Sequence, residues 1–208
     1  MTSFASTSQL FVQGGPLMWP ILACSVLGLA VFCERLWHFR QVRAASRRLE
    51  DQVLPLAGTP DQRRDALALC RADDAPLARM YRVILERWGA SEEALRNETT
   101  DAAARESLLL ERFLGLLSTL ATLAPLLGLL GTVLGMIQAF QVIAAEGGGT
   151  PATLGQGISQ ALITTAAGLS VAIPLVLLHR YLLGRLDRLL ISLNGSVLAL
   201  LRRAVQNP

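Results

Sequence analysis

The chain has no lysine. All 19 of its basic residues are arginines, confined to two stretches, Arg35 to Arg112 and Arg180 to Arg203. Residues 1–33 and 113–179 carry no basic residue, and the run from Gly147 to His179 carries no charge of either sign. Histidine occurs twice, cysteine three times, and aromatic residues make up 5% of the chain. Each scarcity excludes something. Three thiols (Cys24, Cys33, Cys70) without a pairable arrangement exclude a disulfide framework and read as small apolar filler. Nucleic-acid binding would want an arginine face interleaved with aromatics, and none is present. There is no zinc-ligand spacing, no phosphate-cradling glycine fingerprint and no Ser or Cys paired with a His at helical spacing. The chain therefore reads as no enzyme, with no metal and no cofactor expected.

Long apolar runs are what it has instead. A helix needs roughly 17–25 apolar residues to cross a bilayer. Leu17–Cys33, Phe113–Ala145 and Thr153–His179 all qualify, the first extended by uncharged residues before it. No basic residue precedes Leu17, as a cleaved signal peptide would require, so the first run is read as a retained span. The flanks alternate between uncharged and arginine-rich, and the positive-inside rule then orients the chain. The expected layout is an outer segment 1–15, a first span 16–37, an inner helical segment 38–112, a second span 113–145, an outer loop 146–152, a third span 153–180 and an inner tail 181–208. His38 and His179 fall at the inner interface as anchors. The fold class is all-α, with three transmembrane helices, N-terminus out and C-terminus in.

Local signals mark the inner segment. Thr59-Pro60-Asp61 opens a helix with an N-cap hydroxyl, Pro at the first position and an acid in the first turn. Asp74-Ala75-Pro76 opens another, carrying Leu77, Met80, Tyr81, Ile84, Leu85 and Trp88 on one face until Gly89. Ser91-Glu92-Glu93 starts a third with no breaker before Pro125, so one helix of about 80 Å is expected from residue 92 to 145. Glu146 to Pro151 is a break. The last helix is expected from near Ala152 past Leu186 towards Leu201.

The two long spans hold the few polar groups. Gly128, Gly131 and Gly135, extended by Ala121, Ala124 and Ala139, clear one face of the second span, and Ala161, Thr165, Gly168 and Ala172 clear one of the third. Small residues so spaced let helices approach closely in lipid. Thr132 is read as standing on the strip of the second span and Thr165 on that of the third, with Thr164 beside Thr165 and Gln160 one turn before Thr164. A membrane threonine usually bonds back to its own helix. A hydroxyl also donates and accepts, and so can solvate a proton or a neutral acid. Pro125 and Pro174 each remove a backbone hydrogen bond, where bending is possible. No carboxylate lies within either long span, whereas a proton relay through hydrocarbon needs an ionisable group. Any titrating group must then come from another polypeptide. The competing reading is a non-conducting scaffold whose strips only pack helices.

The stretches APLLGLLGTVLGMIQAF (124–140) and GISQALITTAAGLSVAIP (157–174), with GGPLMWPIL and FCERLWHF at the first span, resemble the MotA/TolQ/ExbB proton-channel family, nearest its ExbB and TolQ branches. The resemblance implies a pentameric channel in a Gram-negative inner membrane. Five copies enclose the membrane helices of an ExbD- or TolR-like partner whose Asp carries the proton. Thr132 matches the Thr of the GLLGT motif, and Thr165 the family's third-helix Thr. Gln160 stands where ExbB and TolQ proteins commonly have Glu; it keeps the shape but cannot titrate. Such a complex energises a TonB-like protein for uptake of nutrients or iron complexes, or a TolA-like protein in envelope constriction. A MotA-like stator would bring a fourth span and a larger inner domain.

Overall fold

The computed structural model describes residues 11, 13–146 and 151–206. The outer segment expected at 1–15, the loop expected at 146–152 and the last two residues lie largely outside that range. The described residues form helices and contain no strand. Three regions, Met18–Leu56, Glu92–Ala144 and Gly155–Gln206, each hold a stretch long and apolar enough to cross a membrane.

Helix α1 (Met18–Leu56) runs unbroken from the first apolar stretch into the arginine-rich one, and Pro55 stands in its final turn. Helix α2 (Pro60–Ala72) begins in a capping box. Gln62 N–H donates to the Thr59 hydroxyl at 3.5 Å, and Thr59 N–H to Gln62 Oε1 at 3.3 Å. Helix α3 (Pro76–Glu86) has no side-chain cap of its own; Asp73 Oδ1 instead takes the N–H of Ala75 at 2.7 Å. Leu77, Met80, Tyr81, Ile84 and Leu85 are buried on one face as their spacing requires. Trp88 is not on that helix, which ends at Glu86; its ring instead lies under the Arg63 guanidinium, 4.8 Å from the centroid. Helix α4 (Glu92–Glu111) is capped by Ser91.

The single helix expected from 92 to 145 is broken. Arg112 is extended (ψ 137°), Phe113 has φ 72°, and α5 starts afresh at Leu114 and runs to Glu146. A positive φ is rare for a bulky residue, so no local signal announces this stop. The contact at the break is tertiary: the buried Arg35 guanidinium, which also holds the Glu34 carboxylate through two bonds, donates to the Arg112 carbonyl at 3.3 Å. Helix α6 (Pro151–Gln206) then runs 56 residues through Pro174 without interruption.

The chain divides into two compact units, residues 1–33 with 113–181 and residues 34–112 with 182–208. The second has an ordinary core, with Val53, Cys70, Leu77, Tyr81, Ile84, Leu95, Leu186 and Leu200 all essentially buried. A leucine or isoleucine so placed stabilises by about 1.5–3 kcal/mol. Polar ties cross this core. The Tyr81 hydroxyl donates to the Ser196 carbonyl at 3.3 Å, and Ser196 Oγ to Glu50 at 2.7 Å. Arg79 grips Glu106 with two parallel bonds, 2.6 and 2.5 Å, which strengthen its hold on its proton. Cys70 is fully buried, and burial pushes its thiol up to about 11.

Candidate functional site

The first unit contains the conspicuous threonines. Between Phe113 and Tyr181 its only charged residues are Glu146 and Arg180, and residues 1–33 have none. Helix α5 buries Leu117, Ala121, Ala124, Gly128, Gly131, Gly135 and Ala139, three or four residues apart. Helix α6 buries Gly157, Ala161, Thr164, Gly168, Ala172 and Leu175. These faces meet backbone to backbone. A Cβ added to Gly168 would stand 2.6 Å from the Ala124 carbonyl oxygen and 3.1 Å from Gly128 Cα. One added to Gly128 would stand 3.1 Å from the Thr164 carbonyl oxygen, and one on Gly135 2.9 Å from that of Gly157. The small-residue strips are thus a seam within one chain, of the kind that dispersion forces and close approach stabilise in lipid. Helix α1 joins them: a Cβ on Gly28 would strike the Leu175 side chain, and the rings of Phe32 and Tyr181 lie 6.2 Å apart.

The four polar groups singled out from sequence have different surroundings. Thr165 is half-buried, and its hydroxyl donates across the seam to the Gly128 carbonyl at 3.1 Å. Thr132 flanks the glycine strip, also half-buried, and donates to the Leu129 carbonyl of its own helix at 2.6 Å. Thr164 is wholly buried, its one proton shared between the Gln160 carbonyl at 2.7 Å and the Gly14 carbonyl at 3.0 Å. Gln160 is half-buried with its amide nitrogen against Gly15. The structure therefore brings Thr164, Gln160 and the Gly14–Gly15–Pro16 turn together, and ties Thr165 to α5 separately. Helices α5 and α6 pass through Pro125 and Pro174 without ending.

Sequence reasoning missed the seat of that turn. Its signal was the glycine pair: Gly15 has φ 74°, and Gly14 packs so closely on Met18 that a Cβ would overlap the side chain. Cys24 and Cys70 are buried, as filler should be, but Cys33 is exposed. Among the described residues no group of three His, Cys, Asp or Glu side chains could hold a metal ion.

Around the seam large apolar side chains point outward, among them Trp19, Leu126, Leu129, Val133, Phe140, Leu162, Ile173 and Leu177, as a lipid-facing or subunit-facing surface requires. An apolar exterior around a nearly charge-free interior, with hydroxyls at the helix seam, is what a unit of membrane-capable helices requires.

Known proteins agree. The family model described as "MotA/TolQ/ExbB proton channel family" matches residues 72–194, more than half of the chain. An ExbB-like biopolymer transport protein of Synechocystis is 34% identical over 171 residues, covering 80% of each chain. Biopolymer transport protein exbB1 of Vibrio cholerae is 31% identical over 175 residues, 82% of this chain and 76% of that one. The Tol-Pal system protein TolQ of Pseudomonas aeruginosa is 39% identical over 89 residues, 43% of this chain and 38% of its own. With a matching family model and relatives above three-tenths identity along most of its length, this all-helical, membrane-capable chain belongs to the MotA/TolQ/ExbB proton channel family.

Proposed function

We propose that this chain is the ExbB-like subunit of an inner-membrane proton channel, its N-terminus periplasmic, assembled as a pentamer around an ExbD-like partner. The complex turns proton motive force into mechanical work on a TonB-like protein, for outer-membrane uptake of nutrients or iron complexes. Thr132 and Thr165 line the proton pathway, and Gln160 and Thr164 border it.

The observation that carries this reading is the state of the two hydroxyls. Each donates its one proton to a backbone carbonyl, Leu129 for Thr132 and Gly128 for Thr165. Their oxygen lone pairs remain able to accept from a protonated carboxylic acid, and rotation about Cβ–Oγ lets the same oxygen donate to the ionised form. A partner Asp moving through an uncharged bundle meets the cost of desolvating its ionised form, which favours the neutral acid. Two hydroxyls that serve either protonation state reduce that cost without a fixed charge that would trap the proton. Moving one charge through 100 mV releases about 2.3 kcal/mol, so a few protons suffice to drive a rotation or pull.

A second reading, a TolQ-like subunit acting on a TolA-like protein, is favoured by the identity to TolQ but covers less than half of the chain. Reconstitution tests the proposal. Liposomes holding this protein alone should be nearly impermeable to protons, and flux should appear when the partner is added. It should vanish when the partner's membrane Asp becomes Asn. A substantial flux through this chain alone, indifferent to that Asp, overturns the mechanism. No flux under any condition favours a scaffold.

A further inference from the structure

In the first unit, the Gly14–Pro16 turn, α5 and α6 line a partly open cavity of about 20 Å³. Its walls include Pro16, Leu17 and Leu134, with the amide-bearing Gln138 from α5 and Gln160 from α6. A space above about 10–15 Å³ takes one water, provided polar partners surround it. Each amide offers two donors and an acceptor. The Gln160 side chain makes no hydrogen bond among the described residues although it is half-buried, and its nitrogen lies so close to Gly15 that a Cβ there would collide with it. An amide held at membrane depth with no partner is costly, and packing has left a water-sized space beside it.

We propose that this cavity is the binding site of a single ordered water that bridges Gln138 and Gln160 under the Gly14–Pro16 turn. The water gives Gln160 a partner that the described residues do not supply. It links the exposed Gln138 to the neighbourhood of Thr164 through a hydrogen-bond chain that needs no titrating side chain. Gly14 and Gly15 are required by the same arrangement, since the turn roofs the site at van der Waals contact with Met18 and the Gln160 amide. The site rests on packing and chemistry, and the channel reading adds only the use to which the water is put.

Water-edited solid-state NMR on the assembled protein in lipid vesicles tests this. Polarisation should pass from water to Gln160 Nε2 nearly as fast as to the exposed Gln62. In Gln138→Leu the transfer should slow several-fold, while Gln138→Asn, which keeps an amide, should retain most of it. A dry Gln160 in the unaltered protein, or one equally wet in Gln138→Leu, overturns the site. Proton flux measured with the partner in parallel separates the two readings. A dry Gln160 beside normal flux removes the water site alone; a wet one with no flux supports the site and counts against conduction.

Discussion

Substituting Gly168 by Ala puts one methyl group against the backbone of the facing helix. Its Cβ would lie 2.6 Å from the Ala124 carbonyl oxygen and within 3.2 Å of both Gly128 Cα and N. None of these atoms can rotate aside, so α5 and α6 must separate, and the neighbouring contacts at Gly128 and Gly131 loosen with them. Overpacking costs about 1–3 kcal/mol, and an immovable obstacle puts this site near about 3 kcal/mol. Alanine's better helix propensity returns about 1 kcal/mol, leaving a net loss of about 2 kcal/mol. Gly195→Ala is the control: that glycine is helical and exposed, with nothing within 4 Å of the added atom. Only the propensity gain of about 1 kcal/mol remains there. At about 2–4 °C per kcal/mol for a chain of this size, Gly168→Ala should melt about 4–8 °C lower and Gly195→Ala about 2–4 °C higher. Circular dichroism of purified protein in detergent, at one fixed protein concentration because assembly shifts apparent stability, reads both. If Gly168→Ala melts at or above the unaltered protein, the backbone contact at the seam is not there.

Thr132→Val and Thr165→Val should each abolish energised uptake while leaving membrane insertion and oligomer size intact, since Val keeps the branched shape and loses only the hydroxyl; normal uptake in both would make the hydroxyls structural. In a Cys-free variant, cysteines placed at Ser6 and Thr150 should label from outside intact cells and those at Arg63 and Asn207 only after lysis; labelling of position 63 from outside would invert the topology. In a variant lacking Cys24 and Cys33, Cys70 should resist a thiol reagent at pH 8 until the protein unfolds. Its folded pKa of about 11 lies above the ordinary 9.0, so the native state keeps the proton longer. That contribution to stability is complete below pH 9 and is lost as pH rises towards 11.

The spans, the capped starts of α2 and α4 and the buried face of α3 were legible in the sequence, because each is set by neighbours a few residues away. Thr59 with Gln62 and Ser91 with Ala94 are such local devices. The stop at Arg112–Phe113 was not legible, because the group that satisfies the Arg112 carbonyl belongs to Arg35, 77 residues earlier. The same holds at the site. Glycine spacing foretold the seam, but not that Thr164 would bond Gly14 across 150 residues while Thr165 reached Gly128. Adjacent threonines on a helix point about 100° apart, and only the positions of α5 and the turn decide which partner each one meets.

The seam between α5 and α6 also limits how this sequence can drift. At Gly128 and Gly168 the side chain is already as small as chemistry allows, and the nearest atoms across the gap are all backbone. Every substitution there adds matter, and no compensating change on the opposite helix can remove any, because a main chain cannot be pared down. Most buried positions wander by trading a large neighbour for a small one. These two have nothing to trade. Divergence in this lineage should therefore run along the lipid-facing leucines and the arginine-rich segments, with the seam passed down almost letter for letter.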